Sequence, residues 1–196
     1  MLRATTPGGT SLTAFRISPG QFAFSIAIQA AAKGERVDVF GPREGAVIAI
    51  NGGFFAEQQA SGELFPVGLL RREGRQLSAP WRATGGFLVL SDGVPLVLPA
   101  ATSPPASAGE VLQSKPLLIE PGAKWAMTSN QGLMRQRTVL CLTAAGDAIL
   151  LVAARAGMSL YEVGWLMRQP AIGGFFGCDS ALAFDGGGST QLWVAG

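Results

Sequence analysis

The stretch from Ala181 to Val194 (ALAFDGGGSTQLWV) constrains the fold of this chain more than any other. Residues 181–184 are apolar and predict a short buried strand that ends at a carboxylate, Asp185. The glycines that follow, Gly186, Gly187 and Gly188, lose much backbone entropy on ordering, so a fold that keeps them uses positive φ or close backbone approach. Successive N–H groups in such a turn can form an anion-binding nest, next to Ser189. Residues 191–194 predict a returning strand, and the alternative interpretation is a simple hairpin turn with Asp185 hydrogen-bonded locally.

A second stretch, GAVIAINGGFF, repeats this layout of buried strand, polar residue and glycines. Residues 46–50 form a continuous apolar run, which is typical of a strand covered on both faces. The strand stops at Asn51, and Gly52 and Gly53 follow. One interpretation is an Asn-Gly turn followed by two core phenylalanines. The other is that Asn51 and the glycine amides line a site at the end of a central strand.

Composition excludes several classes of site. The chain has no histidine, which rules out Ser-His-Asp catalysis and HExxH zinc sites. We therefore predict no metal site and no cofactor, although a calcium site built only from oxygen ligands stays open. A net charge of +2 is too small to indicate a nucleic-acid partner. Cys141 and Cys178 could pair or remain buried thiols.

The remaining sequence predicts a strand-rich chain with few helices. Alternating bulky residues predict a strand over 21–29, and further short strands are predicted at 10–16, 37–40, 65–71, 117–119 and in two hairpins, 86–98 and 137–153. Ser159 and Glu162 form a capping box that predicts a helix ending before Pro170. A second short helical turn is predicted over 171–177. No apolar helix long enough to span a membrane is predicted, and the N-terminus shows no signal peptide.

We therefore expect an α+β fold: a mixed, largely antiparallel sheet core, few helices, and Gly-rich site loops at strand ends. The loop-like stretch 99–110 could divide two domains. We prefer a single domain over residues 1–196, because similar sites lie on both sides of that stretch. Arg137 begins one apolar strand of the second hairpin and Arg155 ends the other, so antiparallel pairing would bring both guanidiniums near one sheet end.

Several motifs occur in the order and rough spacing of the phosphodiester glycosidase family (DUF2233), which this chain resembles over about residues 45–194. They are INGGFF (50–55), QSKPLLI (113–119), RT (137–138), AR followed by MSLYEV (154–163), and GCDSALAFDGGGST (177–190). The resemblance implies hydrolysis of a sugar linked through its anomeric carbon to a phosphodiester, in a periplasmic or extracellular location. The family often has glycine where Cys141 stands and Asp-Gly where Ala153 and Ala154 stand, so the substrate does not carry over.

The resemblance and the residues together yield a candidate site. Asp185 is the expected base or nucleophile, and Arg137 and Arg155 are expected to stabilise charge. Glu57 is the second candidate carboxylate. Asn51, Gly52, Gly53, Gly186, Gly187, Gly188 and Ser189 are expected to bind a small-molecule or glycan substrate that carries the sugar phosphodiester. Two alternatives stay open: a non-catalytic binder of phosphorylated glycans, and a structural envelope protein with a decayed site.

Overall fold

The computed structural model describes residues 1–18, 20–29, 32–81, 84–172 and 175–196. Two antiparallel sheets dominate these residues and confirm the expected α+β class. The larger sheet has seven strands in the order β1-β2-β14-β13-β15-β11-β12, and the smaller has five in the order β7-β6-β10-β8-β9. The seven are β1 (Leu2–Thr5), β2 (Thr10–Ile17), β11 (Leu117–Glu120), β12 (Lys124–Trp125), β13 (Arg135–Thr143), β14 (Ala148–Met158) and β15 (Cys178–Ala183). The five are β6 (Leu70–Arg72), β7 (Arg75–Ser78), β8 (Gly86–Ser91), β9 (Val94–Pro99) and β10 (Glu110–Ser114).

Two small ribbons and two helices complete the described elements. One ribbon pairs β3 (Ile48–Ile50) with β16 (Leu192–Val194), and the other pairs β4 (Phe55–Glu57) with β5 (Leu64–Pro66). The helices are α1 (Val37–Arg43) and α2 (Leu160–Arg168), and one 3-10 turn spans Gly187–Ser189. Among the described residues, no helix is long and apolar enough to cross a membrane.

The central strands of the larger sheet bury side chains on both faces. On β14, Ile149 and Leu151 point into one core cluster, where they meet Val163 and Met167 of α2. Leu150, between them, belongs to a second cluster that includes Leu88 of the smaller sheet. The larger sheet is therefore covered by a helix on one face and by the five-stranded sheet on the other.

Two predicted local structures are confirmed. The β8–β9 hairpin turns at Asp92 and Gly93, whose φ values of 50° and 75° suit the type I′ turn that Asp-Gly favours. The hydroxyl of Ser159 accepts from the Glu162 N–H while the Glu162 carboxylate accepts from the Ser159 N–H, so α2 begins with a complete capping box. The stretch 100–109 connects β9 to β10 within one sheet.

The strand predicted over 21–29 is wrong, because these residues join no sheet. Two hydrogen bonds fix their backbone instead. The Phe24 N–H donates to the Gly93 carbonyl (2.8 Å), and the Ile26 N–H donates to the Glu110 carboxylate (2.8 Å). Ile26 is buried, with Phe24 and Ile28 packed beside it. The alternating pattern thus identified the buried face, and the tertiary anchors replaced a strand partner.

The strand predicted at 37–40 is helix α1, whose position depends on contacts distant in sequence. A Cβ added to Gly41 would lie 2.6 Å from Cε3 of Trp193, so the glycine lets the helix pack closely on that ring. The Val37 N–H donates to Oε1 of Gln191 (3.1 Å). These contacts with the β16 region override the strand preference of the two valines.

Three further expectations need correction. The strand predicted at 65–71 is divided between β5 and β6. β3 is not a central strand covered on both faces, because it pairs only with β16 and Val47 beside it is 53% exposed. Residues 191–194 do not return along β15, as a hairpin would. The helical turn predicted at 171–177 includes residues 173 and 174, which lie outside the described residues.

Candidate active site

The side chain of Asn51 connects three segments that are far apart in the sequence. Its Nδ2 donates to the backbone carbonyl of Asp185 (2.8 Å). Its Oδ1 accepts from the Thr138 hydroxyl (2.6 Å) and from the Gln191 N–H (3.0 Å). The side chain of Asn51 is therefore the point where β3, β13 and the loop after β15 meet, and its amide acts as both donor and acceptor. We call Asn51 and its three partners, Thr138, Asp185 and Gln191, the junction.

Backbone hydrogen bonds reinforce this junction. The Asp185 N–H donates to the Gly52 carbonyl (3.1 Å), and the Phe184 N–H donates to the Thr138 carbonyl (2.9 Å). A Cβ on Gly53 would lie 2.8 Å from Cδ1 of Leu112, so the Asn51-Gly52-Gly53 segment passes close to β10. The glycines here allow the backbone to approach β10 closely. Asn51 does not form a hairpin turn.

The glycines after Asp185 differ in what they contribute. A Cβ on Gly186 would lie 2.8 Å from the Gln136 carbonyl oxygen, and Gly187 has a φ of 60°. These two observations match the close approach and the positive φ that the sequence predicts. Gly188 shows neither, since a Cβ there would meet open space.

Fewer backbone N–H groups of this loop are available to an anion than the sequence suggests. The Gly186 N–H donates to Oδ1 of Asp185 itself (2.9 Å), and the N–H groups of Ser189 and Thr190 donate within the 3-10 turn. Among the described residues, the N–H groups of Gly187 and Gly188 have no acceptor. Those two amides are the ones that can meet an anion.

Arg137 lies beside this loop and is held in place by two backbone carbonyls. Its Nε donates to the Met158 carbonyl (2.9 Å) and its Nη2 to the Leu133 carbonyl (2.7 Å). Its Nη1 lies 3.5 Å from where a Cβ on Gly186 would be. Burial, and secondarily repulsion from Arg135, lowers the pKa of Arg137 from its ordinary value. Arginine nonetheless keeps its charge in proteins, so the site holds a fixed cation with one edge facing the loop.

The carboxylate of Asp185 is not neutralised by this cation. No ion pair within the described ranges joins Asp185 to an arginine or lysine. One of its oxygens, Oδ1, accepts from the adjacent amide, and the residue remains partly accessible. An accessible carboxylate next to a fixed cation can act as a base or a nucleophile.

No hydrogen bond or ion pair among the described residues joins the other two predicted catalytic residues to this junction. Arg155 is exposed on β14, where it pairs with Thr10 of β2, two residues beyond the Arg137–Ala153 pair. It therefore lies toward the same sheet end as Arg137. Glu57 is exposed on β4, and its Oε1 lies 3.5 Å from where a Cβ on Gly62 would be, in its own hairpin. Their catalytic roles stay predictions.

Thr138 and Gln191 are the site residues that the sequence did not single out. Thr138 is 1% exposed and directs its hydroxyl to Asn51. Its position directly after Arg137 was the available signal. The described part of the chain contains no group of three or more His, Cys, Asp or Glu side chains that could hold a metal ion.

A cavity of about 1090 Å³ opens beside the junction. Asn51, Gly52, Gly53, Gly188 and Ser189 line part of it. Most of the other lining residues are apolar and come from the 21–29 segment, the α1 and β3 region and the β4–β5 ribbon, with a smaller number from the two large sheets. Ligand sites are commonly concave, mostly apolar and equipped with a few polar groups. The predicted binding residues thus lie at the edge of a space large enough for a ligand.

Cys141 on β13 and Cys178 on β15 form a disulfide, with their Cα atoms 5.7 Å apart. Both lie in the core cluster beneath α2. The bridge settles the alternative between a pair and free thiols. It also joins β13, which carries Arg137, to β15, the strand that leads into the loop of Asp185.

The fold and the candidate site define the class of the protein as α+β, with Asn51 and Asp185 joined by a hydrogen bond at strand ends and Arg137 beside the same loop. The chain belongs to the phosphodiester glycosidase family, whose family model matches residues 44–196. The resemblance inferred from the motifs is thereby confirmed. This membership supports a hydrolase of the phosphodiester glycosidase type.

Solved structures share the fold at low sequence identity. A hypothetical protein from Synechocystis has a TM-score of 0.71 and 17% identity, over 98% of this chain and 57% of that one. The zebrafish N-acetylglucosamine-1-phosphodiester alpha-N-acetylglucosaminidase catalytic domain, auto-inhibited by its pro-peptide, has a TM-score of 0.64 and 16% identity, over 98% of this chain and 71% of that one. A Burkholderia pseudomallei protein named as an exported protein has a TM-score of 0.61 and 13% identity, over 94% and 69%. The chain thus spans little more than half of the Synechocystis protein, and no curated protein sequence matches it.

Proposed function

We propose that this protein hydrolyses a sugar linked through its anomeric carbon to a phosphodiester, at the site formed by Asn51, Arg137 and Asp185. The observation that supports the proposal is that the Asn51 side chain hydrogen-bonds to Asp185 and to Thr138, the neighbour of Arg137, inside the region that matches the phosphodiester glycosidase family. The zebrafish relative, whose name specifies a sugar-1-phosphodiester, supports the same substrate class.

The leaving group explains why a site of this composition suffices. When water attacks the anomeric carbon, the bond from that carbon to the phosphate oxygen breaks, and a phosphate monoester departs with the bonding electrons. A phosphate monoester is a weak base, so it needs less help from a general acid than the alcohol released by ordinary glycosidases. The absence of histidine is then no obstacle.

The residues divide the remaining work between them. Asp185 takes the proton of the attacking water, or attacks the anomeric carbon itself before water releases the sugar. The fixed charge of Arg137 and the N–H groups of Gly187 and Gly188 stabilise the negative charge that develops on the phosphate. Asn51 contributes by holding the backbone of Asp185 in register with β13.

We further propose an extracytoplasmic location, periplasmic or extracellular. The Cys141–Cys178 disulfide supports it, because such bonds persist in oxidising compartments and are rare in the cytosol. The exported Burkholderia relative agrees with it. The physiological substrate is then a small molecule or a glycan of the envelope or exterior.

Turnover distinguishes this proposal from a non-catalytic binder of phosphorylated glycans. The protein is incubated with a panel of methyl sugar-1-phosphodiesters and, separately, with the matching methyl glycosides, and free sugar and methyl phosphate are quantified. We expect equal amounts of sugar and methyl phosphate from the diesters and neither product from the glycosides. Saturable binding of the diesters without product, at any pH between 4 and 9, would contradict the proposal and favour the binder.

A further inference from the structure

The cavity beside the candidate active site is too large and too apolar to be explained by a sugar phosphate alone. Its walls include Leu140 and Leu150 from the larger sheet and Leu88, Leu90 and Leu112 from the smaller one. A sugar phosphodiester is polar over most of its surface and does not match a lining of this composition. At about 1090 Å³, the volume lies at the upper end of the range for ligand sites, roughly 300–1,000 Å³.

The leucines of this wall already pack against one another. Leu88, Leu90, Leu140 and Leu150 are between 1% and 7% exposed and belong to the second core cluster. The apolar contact area that a ligand can reach is therefore offered by the more exposed apolar residues of the lining.

Exposed apolar side chains also line the cavity. Phe22, Phe55 and Phe65 are lining residues and are 46%, 50% and 47% exposed. Exposed phenylalanines at a concave site favour an apolar ligand. Charged side chains occupy another part of the lining, at residues 16, 33, 35, 36 and 44.

The cavity reaches one side of the junction, although Asp185 and Arg137 do not line it. Asn51, Gly52 and Gly53 line it, and Gly52 accepts the hydrogen bond from the Asp185 N–H. Gly188, one of the two glycines whose N–H groups remain available, lines it as well. A phosphate held at those amides would have the apolar space directly adjoining it.

We propose that this cavity binds the aglycone of the substrate and that the aglycone is a long apolar alcohol, of the kind found in lipids. The inference rests on the proposed function and specifies its substrate class: a sugar-1-phosphodiester whose second ester is a lipid alcohol. The sugar and phosphate occupy the polar junction at Asn51 and Asp185, and the alkyl chain lies along the apolar lining of the cavity.

Chain-length dependence tests the inference. Turnover is measured for methyl and decyl esters of the same sugar-1-phosphate, below the micelle concentration of the decyl ester. Each buried methylene contributes enough to raise affinity about fourfold, so after the ordering costs of binding we expect kcat/KM to be at least ~10²-fold higher for the decyl ester. Binding of decyl phosphate and of inorganic phosphate, measured by calorimetry, supplies a readout that needs no turnover, and decyl phosphate should bind at least ~10²-fold more tightly.

Two adjacent residues of β14 provide a matched pair of variants. Leu150 lines the cavity, whereas Leu151 is fully buried in the core cluster on the opposite face. Leu150→Phe adds bulk at the cavity wall and should lower the decyl-to-methyl ratio of kcat/KM about tenfold, with some loss of Tm because Leu150 also packs in the second core cluster. Leu151→Phe overpacks a filled core, so it should lower Tm and leave the ratio unchanged.

Surface variants test the exposed part of the lining in case a core variant fails to fold. Phe65→Ser should weaken decyl phosphate binding, whereas Val94→Ser, at an exposed apolar residue outside the cavity, should not. Equal kcat/KM for methyl and decyl esters, or equal binding of decyl phosphate and inorganic phosphate, would overturn the inference while leaving the proposed function intact. Tight decyl phosphate binding with no turnover of either ester would support the cavity assignment and contradict the proposed function.

Discussion

Replacing Asn51 with alanine removes the side chain on which the candidate active site converges. Three groups then lose their partner: the carbonyl of Asp185, the hydroxyl of Thr138 and the N–H of Gln191. Each orphaned, partly buried group costs about 1 kcal/mol, so the free energy of unfolding should fall by about 3 kcal/mol. For a chain of this size that corresponds to a Tm decrease of roughly 6–12 °C.

Activity should fall further than stability alone explains. Asn51 fixes the backbone of Asp185, and displacement of a reacting group by about 1 Å costs on the order of 10²-fold in rate. We therefore expect kcat on a methyl sugar-1-phosphodiester to fall about 10²-fold for Asn51→Ala at a temperature where the variant is fully folded. Tm by calorimetry and folded fraction by circular dichroism accompany the kinetics.

Thr138→Val is the matched variant for this experiment. It removes one of the three hydrogen bonds and keeps the shape of the side chain, so the expected loss of stability is about 1 kcal/mol. The double variant should cost about 1 kcal/mol less than the sum of the two singles, because both delete the same hydrogen bond. A Tm within 2 °C of wild type for Asn51→Ala, or strict additivity with Thr138→Val, would contradict the claim that the Asn51 side chain holds these segments together.

Three further predictions concern the surroundings of this junction. Arg137→Lys should lower kcat/KM by at least about tenfold, because an ammonium cannot hold the Met158 and Leu133 carbonyls and still face the loop; steady-state kinetics checks this. Removing the disulfide as Cys141→Ala/Cys178→Ala should lower stability by up to about 4 kcal/mol, from the 37-residue separation that it closes, as measured by urea denaturation. Gly186→Ala should cost about 1–3 kcal/mol in thermal unfolding, because its Cβ would meet a carbonyl oxygen at 2.8 Å.

Two of these have a comparison variant within the chain. Arg155→Lys alters the other predicted catalytic arginine, which is exposed and, among the described residues, makes no hydrogen bond. Gly188→Ala adds a Cβ into open space. The Gly188 variant should retain wild-type Tm. An equal loss of kcat/KM for Arg137→Lys and Arg155→Lys would assign both arginines to a general electrostatic effect. Unchanged stability on removing the disulfide would contradict the loop-closure argument.

The parts of the fold that the sequence predicted depend on local chemistry. Asp92-Gly93 specifies a turn by its preference for positive φ, and Ser159 with Glu162 specifies a helix start by satisfying backbone N–H groups. Both signals lie within four residues of the structure that they determine. The larger strands were likewise visible from their alternating or continuous apolar patterns.

The parts that the sequence did not predict depend on distant contacts. β16 pairs with β3, more than 130 residues away, as shown by the Leu192–Ile50 register. Neither strand carries a sign of that choice, so a hairpin with β15 was the simpler interpretation. α1 depends in the same way on Trp193, which lies against Gly41.

The sequence predicted the residues of the candidate site but not the hydrogen bonds between them. Asn51 and Asp185 stood out because each ends an apolar strand and precedes glycines. That the Asn51 amide binds the Asp185 backbone, and that Gly186 gives its N–H to Asp185 itself, required coordinates. Pairing distant segments is decided by the whole fold, so no local pattern could have specified it.

The kinetic effect of Asp185→Asn tests the central claim most directly. The change keeps the size of the side chain, and the Gly186 N–H retains an acceptor, so the free energy of unfolding should change by no more than about 1 kcal/mol. The basicity and charge are lost, so kcat on a sugar-1-phosphodiester should fall by about 10² to 10⁴-fold. Affinity for the anionic substrate should hold or improve, because the phosphate no longer faces a carboxylate. Wild-type turnover in a stably folded Asp185→Asn variant would contradict the account.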